Sequence, residues 1–196
     1  MGNLAIIYQK QGRWSEAEQL EFQVLDMRKK VLGAEHPDTL GSMGNLAITY
    51  KCQGKWNEAE QIEVQVLDMR KRMIGTEHSD TLASMGNLAI TYSNLGTWNE
   101  AEQLEIQVLD MGKKMFGAAH PDTLRSMENL AITYLSLGKW NEAEQLQIQV
   151  LDVKKRVLGA EHPDTLTSIA NLASIYKIVH KSGKSRMWEK FKFWIY

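Results

Sequence analysis

Cysteine is nearly missing from this chain, with one thiol, Cys52, in 196 residues. A single thiol excludes an intramolecular disulfide and fits a reducing compartment. An excess of either charge is missing too. The 23 basic and 24 acidic residues leave a formal charge of −1, which argues against a protein that coats nucleic-acid phosphates. No run of about 18 apolar residues occurs, so no segment is expected to cross a membrane. The first residues show no charged stretch followed by an apolar one, so no signal peptide is expected. A soluble cytoplasmic protein is the plain expectation. Proline is scarce: the three prolines, Pro37, Pro121 and Pro163, each stand before Asp-Thr-Leu.

That recurrence is one trace of a repeat. Asn3, Asn45, Asn87, Asn129 and Asn171 fall 42 residues apart, and so do Trp14, Trp56, Trp98 and Trp140. A fixed period of this length marks supersecondary units stacked side by side, each touching its neighbours. The divisions are a truncated first repeat (1–36), repeats at 37–78, 79–120 and 121–162, helix A of a partial last repeat (163–180) and a divergent tail (181–196). Catalytic sites are single asymmetric constellations, which near-identical copies rarely build. Binding is therefore expected rather than enzymatic activity, with no cofactor and no metal.

Within the copy from Pro37 to His78, Leu40, Met43, Leu46, Ala47 and Tyr50 recur at three- and four-residue steps, the stripe of a helix. Pro37 suits the first helical position, Asp38 favours the helix dipole, and Gly54 ends this helix A. Helix B opens after Trp56. Asn57 and Glu60 have capping-box spacing, as do Ser15/Glu18, Asn99/Glu102 and Asn141/Glu144. Ala59, Ile62, Val66 and Met73 predict its apolar face, broadened by Leu67 and Met69. Arg70, Lys71 and Arg72 fall at its carbonyl end, and Gly75 stops it. Two antiparallel helices per repeat and no strand signal predict an all-α fold.

Leu46, Ala47, Tyr50, Gly54, Trp56, Ala59, Val66 and Leu67, with the phrases G-x-W-N-E-A-E-Q and L-G-x-E-H-P-D-T-L, resemble the tetratricopeptide repeat in the 42-residue form of kinesin light chains. The near-identity of the copies is similar also to arrays in fungal NLR-like proteins. The resemblance implies a right-handed α-solenoid of antiparallel helix pairs, with helices A lining a concave groove. It implies a protein or peptide partner held there, in a cargo adaptor or in the sensing array of an NLR-like switch. Ser79 replaces proline at one helix start, and the first helix A opens inside the motif, so the array is expected to continue upstream.

Residues that hold the stack together are forced to repeat, whereas residues facing a partner are free to differ. On helix A the divergent columns are Gly41/Ala83/Arg125/Thr167, Gly44/Gly86/Glu128/Ala170, Lys51/Ser93/Leu135/Lys177 and Cys52/Asn94/Ser136/Ile178. They share one face with Asn45, Asn87, Asn129 and Asn171 and with Ile48, Ile90 and Ile132. An asparagine offers both a donor and an acceptor to peptide backbone, and in the family this asparagine contacts the bound peptide. The isoleucines would form an apolar floor. Arg125, Glu128, Lys51 and Lys177 would select charge, and Asn94 would add a polar contact. The Gly44/Gly86/Glu128/Ala170 column lacks the cations that clamp a terminal carboxylate.

His36, His78, His120 and His162 each stand alone in a loop, which favours a cap role over a metal. Ser182-Gly-Lys-Ser lacks the upstream glycine of a phosphate loop, since position 178 is Ile178. The tail from Lys181 reads first as a capping helix, then as non-native sequence, then as a basic-aromatic membrane contact. Uncovered array ends would favour self-association. Small Ala47 and Ala59 should let helices A and B approach closely. Ala59→Leu is accordingly expected to cost about 1–3 kcal/mol by overpacking, read as a lower midpoint in chemical unfolding.

Overall fold

The computed structural model describes residues 2–181, and the expectations for the tail beyond them fall outside the described residues. Among the described residues the chain forms nine helices and no strand. These are α1 (Gly2–Lys10), α2 (Trp14–Leu32), α3 (Pro37–Cys52), α4 (Trp56–Ile74), α5 (Ser79–Leu95), α6 (Trp98–Phe116), α7 (Pro121–Ser136), α8 (Trp140–Leu158) and α9 (Pro163–Lys181). Odd-numbered helices are helices A and even-numbered ones helices B. The chain divides into two compact units, Met1–Leu104 and Glu105–Tyr196.

Helices α3, α5, α7 and α9 start where the sequence places them, and the histidine column supplies the reason. His36 Nδ1 accepts the Asp38 backbone N–H at 3.1 Å, and His78, His120 and His162 do the same for Asp80, Asp122 and Asp164. The cap satisfies a first-turn donor that no carbonyl can reach. It works without proline: α5 begins at Ser79 with the same histidine bond.

The capping boxes expected at helices B are not what the structure contains. Helices α2, α4 and α8 begin on their tryptophans, and Arg13, Lys55 and Lys139 before them make no side-chain cap bond. Two of the glutamates assigned to those boxes, Glu18 and Glu144, reach forward instead. Glu18 Oε2 accepts from Gln53 Nε2 (2.8 Å) and Lys55 Nζ (2.9 Å), while Glu144 Oε1 accepts from the Tyr176 hydroxyl (2.7 Å). Burial pushes the Glu18 carboxyl up, but the bonds from Lys55 and Gln53 outweigh it and hold the group below the usual glutamate range. Burial, then the bond to Glu144, drives the Tyr176 hydroxyl well above the ordinary tyrosine value. The basic helix ends also look forward. Arg70 Nη1 donates to Asp80 O (2.8 Å) and Ser84 Oγ (2.7 Å), and Arg28 grips Asp38 O and Ser42 in the same way.

In the first unit Leu25 of α2 meets Leu40, Met43 and Leu46 of α3 and Val66 of α4, with Tyr50, Ile62 and Met69 packed around them. Each such leucine contributes roughly 1.5–3 kcal/mol when fully buried. Ala17, Ala47 and Ala59 are at most 1 % exposed, as close helix approach requires. Met73, expected on this face, is exposed instead, one turn beyond the contact. In the second unit Leu109, Leu124, Met127, Leu130 and Val150 repeat the cluster, and Leu151, Leu172 and Tyr176 extend it onto α9.

One part of the core is charged. Glu21 and Glu63, which the apolar pattern passes over, are buried in the seam between helix B and the next helix A. Glu21 accepts from Thr49 Oγ1 at 2.7 Å and from Gln9 Nε2 at 2.9 Å. Glu63 accepts from Thr91 Oγ1 at 2.6 Å and from Lys51 Nζ at 2.7 Å. With only neutral partners, burial pushes the Glu21 carboxyl up, partly offset by the threonine bond. After the third copy the pattern changes as a set: Gln147 on α8 stands at the glutamate position and Ile175 on the following α9 at the threonine position, both buried.

Removing the cation beside Glu63 leaves a buried carboxylate on threonine alone. Lys51→Met is expected to lower stability by about 3 kcal/mol and Lys51→Gln, the arrangement around Glu21, by markedly less, as measured by urea unfolding. Glu21, held by neutral donors, carries a pH signature of its own. Its raised value means that the folded state is favoured below the ordinary glutamate range and loses that contribution as pH rises through the raised value. Glu21→Gln should therefore melt higher than the parent at about pH 7 and converge with it near about pH 4.

Candidate functional site

Burial alternates along α3 in a way that splits the helix. Leu40, Met43, Leu46, Ala47 and Thr49 are buried, whereas Asn45, Ile48 and Cys52 face solvent. The same division holds on α5, where Asn87, Ile90 and Asn94 are exposed. Ile48 and Ile90 are 44 % and 41 % exposed, leaving aliphatic surface on this face open to solvent. In the second unit Ile132 on α7 is 59 % exposed, Asn129 on α7 is half-buried and Asn171 on α9 is exposed.

The asparagine side chains are not spent on the fold. Among the described residues, the amides of Asn45, Asn87, Asn129 and Asn171 make no hydrogen bond to the protein. Each unit thus presents free donor–acceptor groups beside exposed isoleucine, the two chemistries an extended polypeptide can use. Asn94 spends its Nδ2 on Ile90 O of its own helix at 2.8 Å, leaving its oxygen outward. Arg125 is exposed and paired with Asp122 in its own first turn at 3.1 Å. Lys177 is exposed on α9.

Two residues assigned to charge selection are placed otherwise. Lys51 runs inward to Glu63 with only 13 % of its side chain exposed. Glu128 is tied to Lys154 at 2.7 Å and approached by Ser168 at 3.4 Å. The reason is visible across copies. Gly44 and Gly86 stand where Glu128 does and can form no such pair, and Gly112 stands where Lys154 does. Arg28 and Arg70 fill the Lys154 column in the earlier copies and reach forward instead, so variation alone did not separate inward from outward residues. The buried Glu21 and Glu63 were missed altogether, although the joint change to Gln147 and Ile175 signals their pairing.

Gly44 and Gly86 stand on the outward side of α3 and α5, where a mid-helix glycine costs about 1 kcal/mol relative to alanine. A Cβ built on Gly41, Gly44 or Gly86 would meet nothing within 4 Å, so close packing does not require them. A depression of about 710 Å³ lies at the loop end of the first unit, with Cys52 on its rim beside Gln53 and Lys55. Its cations are committed, Arg13 to Glu16 at 2.9 Å and Lys55 to Glu18 at 2.9 Å. Among the described residues no group of three or more His, Cys, Asp or Glu is gathered as a metal site would need. No described helix is long and apolar enough to cross a membrane.

Stacked antiparallel pairs with buried small residues and a solvent-facing helix A define a helical-repeat scaffold. Tetratricopeptide-repeat models match residues 1–72, 81–122 and 123–164. The crystal structure of the nearly identical TPR-like repeats of a Podospora anserina protein, described as a kinesin light chain, is 33% identical, covering 97% of this chain and 89% of that one, with a TM-score of 0.86. A single-substitution form of that protein is 32% identical over 99% and 90%, with a TM-score of 0.87. BtubC (BKLC) from P. vanneervenii, 22% identical over 94% and 73% with a TM-score of 0.79, shares the fold. No curated protein sequence matches the chain. The chain belongs to the tetratricopeptide repeat family, whose members are typically non-enzymatic scaffolds for protein interaction.

Proposed function

We propose that the chain holds an extended segment of a protein partner against the exposed faces of its helices A. The observation that carries this reading is the combination, within one unit, of free amides at Asn45 and Asn87 with exposed Ile48 and Ile90. The amides would bond partner backbone, which any sequence offers, and the isoleucines would take its apolar side chains. In the second unit Asn129, Asn171 and Ile132 would act in the same way, with Arg125 and Lys177 at the margin. Asn94 would add its oxygen. Lys51 and Glu128 support the stack instead of the partner.

The near-identity of the copies, a resemblance to fungal NLR-like arrays, favours a sensing array over a motor-cargo adaptor as biological setting. The binding chemistry is the same in both. A photocrosslinker at position 90 should capture the partner segment. The double variant Asn45→Ala, Asn87→Ala should bind that segment roughly tenfold more weakly or worse, with unchanged helicity by circular dichroism. Unchanged affinity would rule out the asparagine contact.

A further inference from the structure

The outward side of α3 and α5 has a property that the asparagines and isoleucines alone do not reveal. It carries no free charge. Between the first-turn Asp38 and the helix end, α3 turns Gly41, Gly44, Asn45, Ile48 and Cys52 outward, and Lys51, the cation in that stretch, is neutralised by Glu63. On α5 the corresponding residues are Ala83, Gly86, Asn87, Ile90 and Asn94. The nearest exposed cation in the same column is Lys10, at the end of α1. This neutrality contrasts with a chain in which nearly a quarter of residues are charged.

From this neutral face we infer that the partner segment seated on α3 and α5 is uncharged, with small and apolar side chains. The inference rests on the groove reading above and adds the chemistry of the occupant. A charged partner side chain placed here would surrender hydration and find no counter-ion, a penalty that specificity can use. Backbone amides of the segment would meet Asn45 and Asn87, and its apolar side chains Ile48 and Ile90. The open space over Gly44 and Gly86 admits the segment close to the helix surface, which explains helix-weakening glycines that packing does not need. The fourth copy shows the alternative, since its Glu128 fills that column and brings its own counter-ion, Lys154.

The test is selection of a displayed library of random peptides, each about a dozen residues long, on the intact chain, followed by affinity measurement of enriched peptides. Enriched sequences should be depleted of Asp, Glu, Lys and Arg relative to the unselected library. Their binding should fall at least about tenfold in Asn45→Ala, Asn87→Ala. It should fall comparably in Gly44→Ala, Gly86→Ala, a variant whose melting temperature should rise, so that lost binding cannot be lost folding. Enriched peptides that need Asn45 and Asn87 but are charged, or that bind the glycine variant unchanged, overturn the inference while leaving the groove in place. If no enriched peptide depends on Asn45 and Asn87, the groove reading fails and the inference falls with it.

Discussion

The stack depends on the seam where each helix B meets the following helix A. A buried glutamate there must find donors, because an ionised carboxylate out of water is tolerated only when hydrogen-bonded or paired. Thr49 and Thr91 provide one donor each from the next helix A, and Gln9 and Lys51 provide another from the helix before. Three successive helices are thereby tied at one point. Apolar contacts such as Leu25 with Met43 fill the space around that point without fixing which helix belongs where.

Near-identical copies face a problem of interchange, since any helix B could in principle dock on any helix A. The seam residues differ enough to oppose this. A helix A bearing Ile175 offers no hydroxyl to Glu21 or Glu63, and it sits instead against a helix B bearing Gln147. Wrong pairing would strand a buried carboxylate, so correct order is favoured by the cost of the alternatives. The Glu128–Lys154 pair marks the fourth copy in a second place.

The helices, their order and the aliphatic core were legible from period, prolines and the apolar stripe, because those features act locally or repeat unchanged. The free face was legible at Asn45, Asn87, Ile48 and Ile90, which recur yet are left out of the core. What the sequence hid was direction. Glu18 has the spacing of a cap but turns to Lys55 and Gln53, and Arg70 passes its own helix end to reach Ser84. Lys51 varies like a groove residue and is drawn inward by its partner. Long polar side chains choose between local and neighbouring partners by geometry that spacing alone does not contain.

The central claim is that each helix A has one face that holds the stack and another that is held in reserve for a partner. A substitution scan of α3, reading unfolding free energy at every position from Thr39 to Cys52, tests it most directly. Large losses are predicted at Leu40, Met43, Leu46, Ala47, Thr49 and Lys51, and changes within about 0.5 kcal/mol on replacing Asn45, Ile48 or Cys52. Losses at Asn45 and Ile48 as large as at Leu46 would contradict it, because that face would then be part of the fold.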